Sequence, residues 1–323
     1  MKSLKKTDNG RYEGFAVVRS FSIRTTAKNL PYADLVLADS EEEISAKLWD
    51  YSAQVHGTYT PGQLIKVRGT IDIWNEKEQL KIERIRLALP ADGVRIEDYV
   101  PSAPFSPEKM LEILTELAGG FSDRELSGIV LYLLGKYKEQ LLYFPAAVKM
   151  HHAVRGGLLF HVLSVVRLAE QICALYPSVD RDLLLSGAIL HDISKTAEYS
   201  ATNAGVAEEY TVKGNLLGHL VMGAGEVTEA GKATGASEET VTLLCHMILS
   251  HHGIPEYGSA QRPAFLEAEI LSILDNLDAE IYEITDAVSK TAPGTFSERQ
   301  WGLDNRRFLN HNRKPLAPPD LMD

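Results

Sequence analysis

The sequence predicts two domains of different class, a small all-β barrel followed by an all-α domain. Residues 11–88 alternate apolar and polar side chains and are rich in Val, Ile, Tyr, Phe and Thr, whereas from 107 onward apolar residues recur every three to four positions. Between the two stretches Pro90, Pro101, Pro104 and Pro107 interrupt any helix or central strand. At 323 residues the chain also exceeds one typical domain. The boundaries that follow are a β domain over 1–89, a linker over 90–106, an α domain over 107–312 and a tail over 313–323 that is disordered or docks a partner.

Five strand candidates lie at 12–23, 32–37, 44–48, 64–73 and 79–87. Residues 50–56 suit a short helix after the third strand, and Thr60-Pro-Gly-Gln63 suits a turn into the fourth. Three strands, a short helix and two strands is the order of an OB-fold barrel, which holds single-stranded nucleic acid on aromatic and basic side chains. The stretch Pro61-Gly-Gln-Leu-Ile-Lys-Val-Arg-Gly69 resembles that of nucleic-acid-binding OB domains. Candidates for base stacking or phosphate contact are Phe15, Phe21, Arg24, Trp49, Trp74, Lys81 and Arg84. Singly, an aromatic on a strand is more often core than platform; the set favours single-stranded nucleic acid as partner.

Helical periodicity runs over 107–118, 122–140, 158–175, 181–192, 216–230, 237–252 and 264–287. Ser106-Pro107, Ser122-Asp-Arg-Glu125 and Ser237-Glu-Glu supply helix starts. Cys173 and Cys245 sit in apolar helical runs, so reduced core thiols are expected rather than a disulfide framework. A basic start without an apolar h-region, and no run of eighteen apolar residues, lead to the expectation of a cytoplasmic protein without a membrane partner. The net charge of −11 is uneven: residues 1–90 carry 14 Lys and Arg against 12 Asp and Glu, so the excess of acid lies with the helices and their histidines. That distribution suits cation binding in the second domain and leaves nucleic acid to the first.

The apolar run Leu183-Leu-Leu-Ser-Gly-Ala-Ile-Leu190 ends abruptly in His191-Asp192. An imidazole and a carboxylate, two metal-ligand types, are thereby brought to the end of a buried helix. His161, His219, His251-His252 and Asp275 lie on the other apolar helices. Any one of these histidines alone reads as a hydrogen-bonded core residue. The set does not, because burying so many imidazoles and carboxylates without a compensating cation is costly.

The order His, His-Asp, His, His-His, Asp over five helices resembles the HD-domain metal-dependent phosphohydrolases. With an OB-fold in front it is similar to the YhaM-type 3′-5′ exoribonucleases, over nearly the whole chain. The segments carrying the resemblance are His151-His-Ala-Val-Arg-Gly-Gly-Leu-Leu-Phe-His161, His191-Asp-Ile-Ser-Lys195, Gly214-Asn-Leu-Leu-Gly-His219, Leu249-Ser-His-His-Gly253 and Asp275-Asn-Leu-Asp278-Ala. The resemblance implies one metal on His161, His191, Asp192 and Asp275, and a second on Asp192, His219, His251 and His252. Two divalent ions so placed activate water for attack on phosphorus. A mixed imidazole and carboxylate shell suits Mn²⁺, Fe²⁺ or another transition ion better than Mg²⁺.

Lys195, one turn after the His-Asp pair, is a candidate to stabilise charge on the phosphate. Arg155 and His152 are candidates to contact phosphate or leaving oxygen, His151 to do the same or to cap, and Gly156-Gly157 to admit substrate close to the backbone. Asp278 suits a partner of the ligands more than a ligand. His246 is read as core, and His56 and His311 lie outside the set.

The implied activity is a 3′-5′ exoribonuclease, acting also on single-stranded DNA, that releases nucleoside 5′-monophosphates. A cyclic dinucleotide phosphodiesterase lacks its Gly-Tyr-Pro signature here, since Gly253-Ile-Pro-Glu-Tyr-Gly258 follows the paired histidines. A small-nucleotide phosphohydrolase would leave the barrel idle. A di-iron oxygenase would not use the extra ligand positions, and a purely structural metal in an RNA-binding protein sits poorly with an intact ligand set. The apolar helices and the stretch 301–308 suit a homo-oligomer interface.

Overall fold

The computed structural model describes residues 3–7, 9–74, 77–147 and 152–322. The chain forms two compact units, residues 1–102 with 202–206, and residues 103–201 with 207–323.

The first unit contains β1 (Leu4–Lys6), β2 (Tyr12–Thr25), β3 (Pro31–Ala38), β4 (Glu43–Leu48), α1 (Ala53–His56), β5 (Leu64–Trp74) and β6 (Lys77–Leu87). Strand β2 pairs with β3 over its second half and with β5 over its first, β4 pairs in parallel with β6, and β5 with β6. The circuit β2-β3-β4-β6-β5 closes on itself, which is the OB-fold connectivity, and β1 pairs with β2 outside it. Inward-facing Ala16, Val18, Leu35, Leu37, Ile65 and Leu80 fill the barrel. A bulge at Arg19 shifts the β2–β3 register: Val18 opposes Leu37, yet Ser20 opposes Val36. One extra residue reverses the inside-outside alternation beyond it. The expected linker is partly ordered within this unit, with 3₁₀ turns at Pro90–Asp92 and Ile96–Asp98 and Val100 buried against Val17.

The second unit contains α2 (Pro107–Gly119), α3 (Arg124–Lys136), α4 (Lys138–Leu141), α5 (Gly157–Leu175), α6 (Arg181–Leu190), α7 (Lys195–Glu198), the hairpin strands β7 (Tyr199–Ala201) and β8 (Ala207–Tyr210), then α8 (Val212–Thr234), α9 (Glu238–Ser250) and α10 (Leu266–Ser289). Ser106 and Ser237 cap α2 and α9 through their hydroxyls, while α3 is capped by Asp123 rather than Ser122. Tyr137 breaks the expected helix over 122–140 into α3 and α4. Helix α5 is long and apolar enough by composition to cross a membrane, and it supplies much of this unit's core. Residues 313–320 of the tail are exposed without helix or strand, while Leu321 is buried in the helical core and the Arg167 Nε–H donates to its carbonyl at 3.1 Å.

Candidate metal centre

Helix geometry places every predicted ligand at the end of an element or on the inner stripe of one. His161 lies in the second turn of α5, His191-Asp192 directly after α6, His251-His252 directly after α9, and Asp275 on α10. His219 follows a break inside α8 at Gly218. The structure brings four of them, His161, His191, His219 and His251, within 4 Å of Asp192, and Asp275 joins them through His161 and His191. Asp192 Oδ2 lies 3.4 Å from His191 Nε2 and 3.6 Å from His161 Nε2; Asp275 Oδ1 lies 3.1 Å from His161 Nε2 and 3.6 Å from His191 Nε2. The other Asp192 oxygen, Oδ1, lies 3.4 Å from His219 Nε2 and 3.8 Å from His251 Nε2. The His252 ring stands 4.4 Å from that of His251 and 5.1 Å from that of His219.

The hydrogen bonds on the far side of each ring decide what these nitrogens can be. His191 Nδ1 faces the Ala188 carbonyl at 2.9 Å, His251 Nδ1 the Ile248 carbonyl at 2.7 Å, His161 Nδ1 Asp278 Oδ2 at 2.7 Å, and His219 Nδ1 the Glu198 carboxylate at 3.1 Å. Each partner is an acceptor, so each Nδ1 carries a proton, and each Nε2 is the nitrogen left toward Asp192 to take a metal or a second proton. His161 Nε2 and His191 Nε2 are only 3.1 Å apart, a contact two lone pairs do not make without a proton or cation between them. Asp192 Oδ1, His219 Nε2 and His251 Nε2 are buried and have no hydrogen-bond partner among the described residues. Buried orphans of one polarity, converging, fit a cation. The donor set therefore fits divalent metal at His161, His191 and Asp192 and at His219, His251 and His252; a third group of ligand types, His152, His161 and Asp278, is already joined by its own hydrogen bonds.

The electrostatics agree. Burial opposes charge on His191, yet Asp192 and Asp275 outweigh it and push its pKa up to about 10. Asp192 and Asp275 are held well below the usual carboxylate range although burial works against it, Asp192 by Lys195 and His191 and Asp275 by His161 and His191. His251 is driven well below its ordinary value by burial and by the neighbouring His252 and His191. The carboxylates attract positive charge and His251 stays a neutral donor, which is what metal ligation requires.

The remaining predicted residues divide. Lys195 is half-buried, its side chain 12% exposed and its Nζ 2.7 Å from Asp192 Oδ2, so it is held in the site rather than free on the surface. His152 corrects its expectation as a substrate contact: it is 1% exposed, its Nε2 lies 2.9 Å from Asp278 Oδ2 and its ring packs on Tyr282. Asp278 thus gathers His161, His152 and the Ser164 hydroxyl on one carboxylate. Arg155 is half-buried, its carbonyl accepting from the Ala103 N–H at 2.8 Å. The glycine pair serves the protein's own backbone rather than a substrate: Gly156 caps α5 at φ 70°, and a Cβ on Gly157 would strike the His152 carbonyl. His151 lies outside the described residues. His246 is half-buried and its Nε2 accepts from the Ala264 N–H. Sequence reasoning missed Glu198 and Ser164; a carboxylate seven residues after His191 in a buried run was the available signal for Glu198.

On the barrel, Arg24, Trp49 and Lys81 share an outer face running over β2, β3, β4 and β6. The face also holds two residues not predicted: Tyr32, whose ring lies 4.9 Å from Trp49, and Lys47, whose ammonium stands 5.3 and 5.6 Å from the two rings. Trp74 is 66% exposed at the β5–β6 hairpin. Phe21 corrects its expectation as a platform: the bulge at Arg19 turns it inward against Tyr51 and Tyr59. Phe15 and Arg84 lie on a different side, Phe15 against Tyr99 with Lys66 over its ring, and Arg84 in a groove with Lys66, Arg68 and Arg86.

A helical unit gathering His, His-Asp, His, His-His and Asp around one carboxylate defines an HD domain, and the family model described as HD domain matches residues 158–280. The chain is 41% identical over 308 residues to a 3′-5′ exoribonuclease YhaM of Geobacillus sp. (strain WCH70), covering 95% of this chain and 93% of that one. It is 38% identical to the protein of the same name from Oceanobacillus iheyensis, with 95% and 96% covered. Among solved structures, the first unit is matched by the PriB protein of Ralstonia solanacearum at a TM-score of 0.23 and 16% identity, over 24% of this chain and 97% of that one. The chain belongs to the YhaM family of 3′-5′ exoribonucleases.

Proposed function

We propose that the chain is a metal-dependent 3′-5′ exoribonuclease that shortens single-stranded RNA, and single-stranded DNA also, to nucleoside 5′-monophosphates. The observation that carries the reading is Asp192, whose two oxygens face two separate groups of imidazoles. His161, His191, Asp192 and Asp275 would hold one divalent ion, and Asp192, His219, His251 and His252 a second, with Mn²⁺ or Fe²⁺ the best suited. Bound there, the pair would acidify a water and stabilise the entering and leaving oxygens on phosphorus. Asp192 keeps both groups in register, and the Nδ1 hydrogen bonds lock each ring with its lone pair inward. The Lys195 ammonium, half-buried beside Asp192, offsets charge that builds on the phosphate, and Arg155 contributes a phosphate contact. Tyr32 and Trp49 stack bases while Lys47, Arg24 and Lys81 meet phosphates, so the barrel holds the strand without reading its sequence.

The test is a 5′-labelled single-stranded RNA incubated with the full chain and Mn²⁺ or EDTA. A ladder retreating from the 3′ end only with metal is expected. No shortening with any divalent ion would sink the reading.

A further inference from the structure

We infer that Glu198 is a positioning residue for the His219 side of the centre, through which the second ion is held; this rests on the two-ion reading above. Glu198 is buried at the end of α7, one turn after Lys195. Its carboxylate accepts twice from a single residue, from the His219 backbone N–H at 3.0 Å and from His219 Nδ1 at 3.1 Å. The backbone contact fixes where the residue sits, and the ring contact fixes both the tautomer and the direction of Nε2, which faces Asp192 Oδ1.

The segment Gly214-Asn-Leu-Leu-Gly-His219 is built for this contact. Gly218 adopts φ 69° inside α8, a left-handed conformation that interrupts the helix. The His219 N–H is thereby freed from the helical ladder and directed to Glu198, which acts as a side-chain cap on the segment that follows. A Cβ on Gly214 would stand 1.9 Å from the Glu198 carbonyl oxygen, so only glycine lets the first turn of α8 lie on α7. Thr211 secures the same carbonyl through its N–H at 2.9 Å and its hydroxyl at 3.1 Å. Gly214 and Thr211 thus seat the backbone of Glu198, Gly218 frees the N–H that its carboxylate accepts, and that carboxylate serves one imidazole. His191 and His251 take their orientation from backbone carbonyls of their own helices, so His219 is placed by a side chain from another element, as His161 is by Asp278.

The experiment counts Mn²⁺ bound to the full chain by equilibrium titration with electron paramagnetic resonance of the free ion, for wild type, Glu198→Ala, Glu198→Gln and His219→Ala. Wild type is expected to bind two ions and His219→Ala one. Glu198→Ala should keep the first ion and hold the second about 10–100-fold more weakly, the usual effect of removing a carboxylate behind a ligand. Glu198→Gln, which retains one acceptor oxygen and the side-chain volume, should lose less; it carries the same comparison should the alanine variant not fold. Two ions at wild-type affinity in Glu198→Ala would overturn the inference. So would equal weakening of both ions, or a glutamine variant no better than alanine, since either leaves only a cap. One ion in both wild type and His219→Ala would instead overturn the two-ion reading, and this inference with it.

Discussion

Replacing Asp192 by Asn keeps the volume of the side chain but removes the charge on which both groups of imidazoles and Lys195 converge. The Lys195 ammonium then remains half-buried 2.7 Å from a neutral amide. At that separation the lost attraction is about 6 kcal/mol at an effective dielectric constant of 20, before the partly offsetting relief of desolvation. Breaking a buried pair by removing one partner costs about 3–5 kcal/mol; the slight exposure of Lys195 favours the lower end, about 3 kcal/mol. Thermal unfolding in EDTA should therefore fall by roughly 6–12 °C for a unit of this size. Asp192→Asn/Lys195→Met should recover part of that loss, because it removes the orphaned charge as well. With Mn²⁺, 3′-5′ degradation by the single variant should drop on the order of a thousandfold, since both groups lose their shared ligand. An unchanged transition in EDTA together with additive single and double variants would refute the coupling. Wild-type degradation by Asp192→Asn would refute the site.

Three further outcomes follow from other parts of the molecule. Asp278→Asn removes the charge that His161, His152 and Ser164 share, and Mn²⁺ affinity should weaken about 10–100-fold in a titration; unchanged affinity would show that His161 needs no such support. Trp49→Ala should weaken binding of a fluorescent single-stranded RNA by about 1–3 kcal/mol with little effect on folding, whereas Phe21→Ala should cost roughly 2 kcal/mol of barrel stability in urea, taken below full-burial values because the ring is half-buried; the reverse pattern would mean that Phe21, not Trp49, faces the strand. Asp39 is buried, which alone would raise its pKa, but N–H donors from Ser3, Glu41 and Glu42 lower it to about 2. A depressed carboxylate stabilises above its unfolded pKa and ceases to as pH falls through its folded one. Wild type should therefore lose about 2 kcal/mol of barrel stability between roughly pH 4 and 2, and Asp39→Asn should lose that amount already at pH 7 and show a flatter acid profile.

The two periods of hydrophobicity, the prolines between them and the caps at Ser106 and Ser237 lie in local sequence, so the fold class and most element positions were legible there. The ligands were legible too, for a chemical reason: imidazoles and carboxylates on apolar helix faces are too costly to leave uncompensated, and a cation is what compensates a set of this polarity. What local sequence does not contain is the direction in which a side chain ends up. The bulge at Arg19 depends on pairing with β3, and it decides that Phe21 turns inward against the core while Arg24 joins Trp49 and Lys81 outside. His152 looked like a substrate contact beside its glycines; the approach of α10 turned it into a partner of Asp278. Glu198 is an ordinary acid in sequence, 21 residues from His219, and only the break at Gly218 brings the two together. Composition and period, which act over a turn or a strand, determined which residues are buried and which chemistry they carry. Packing between distant segments decided how His161 and His219 are held, which lone pairs converge and where the aromatic face lies, because each depends on a partner that the sequence places far away.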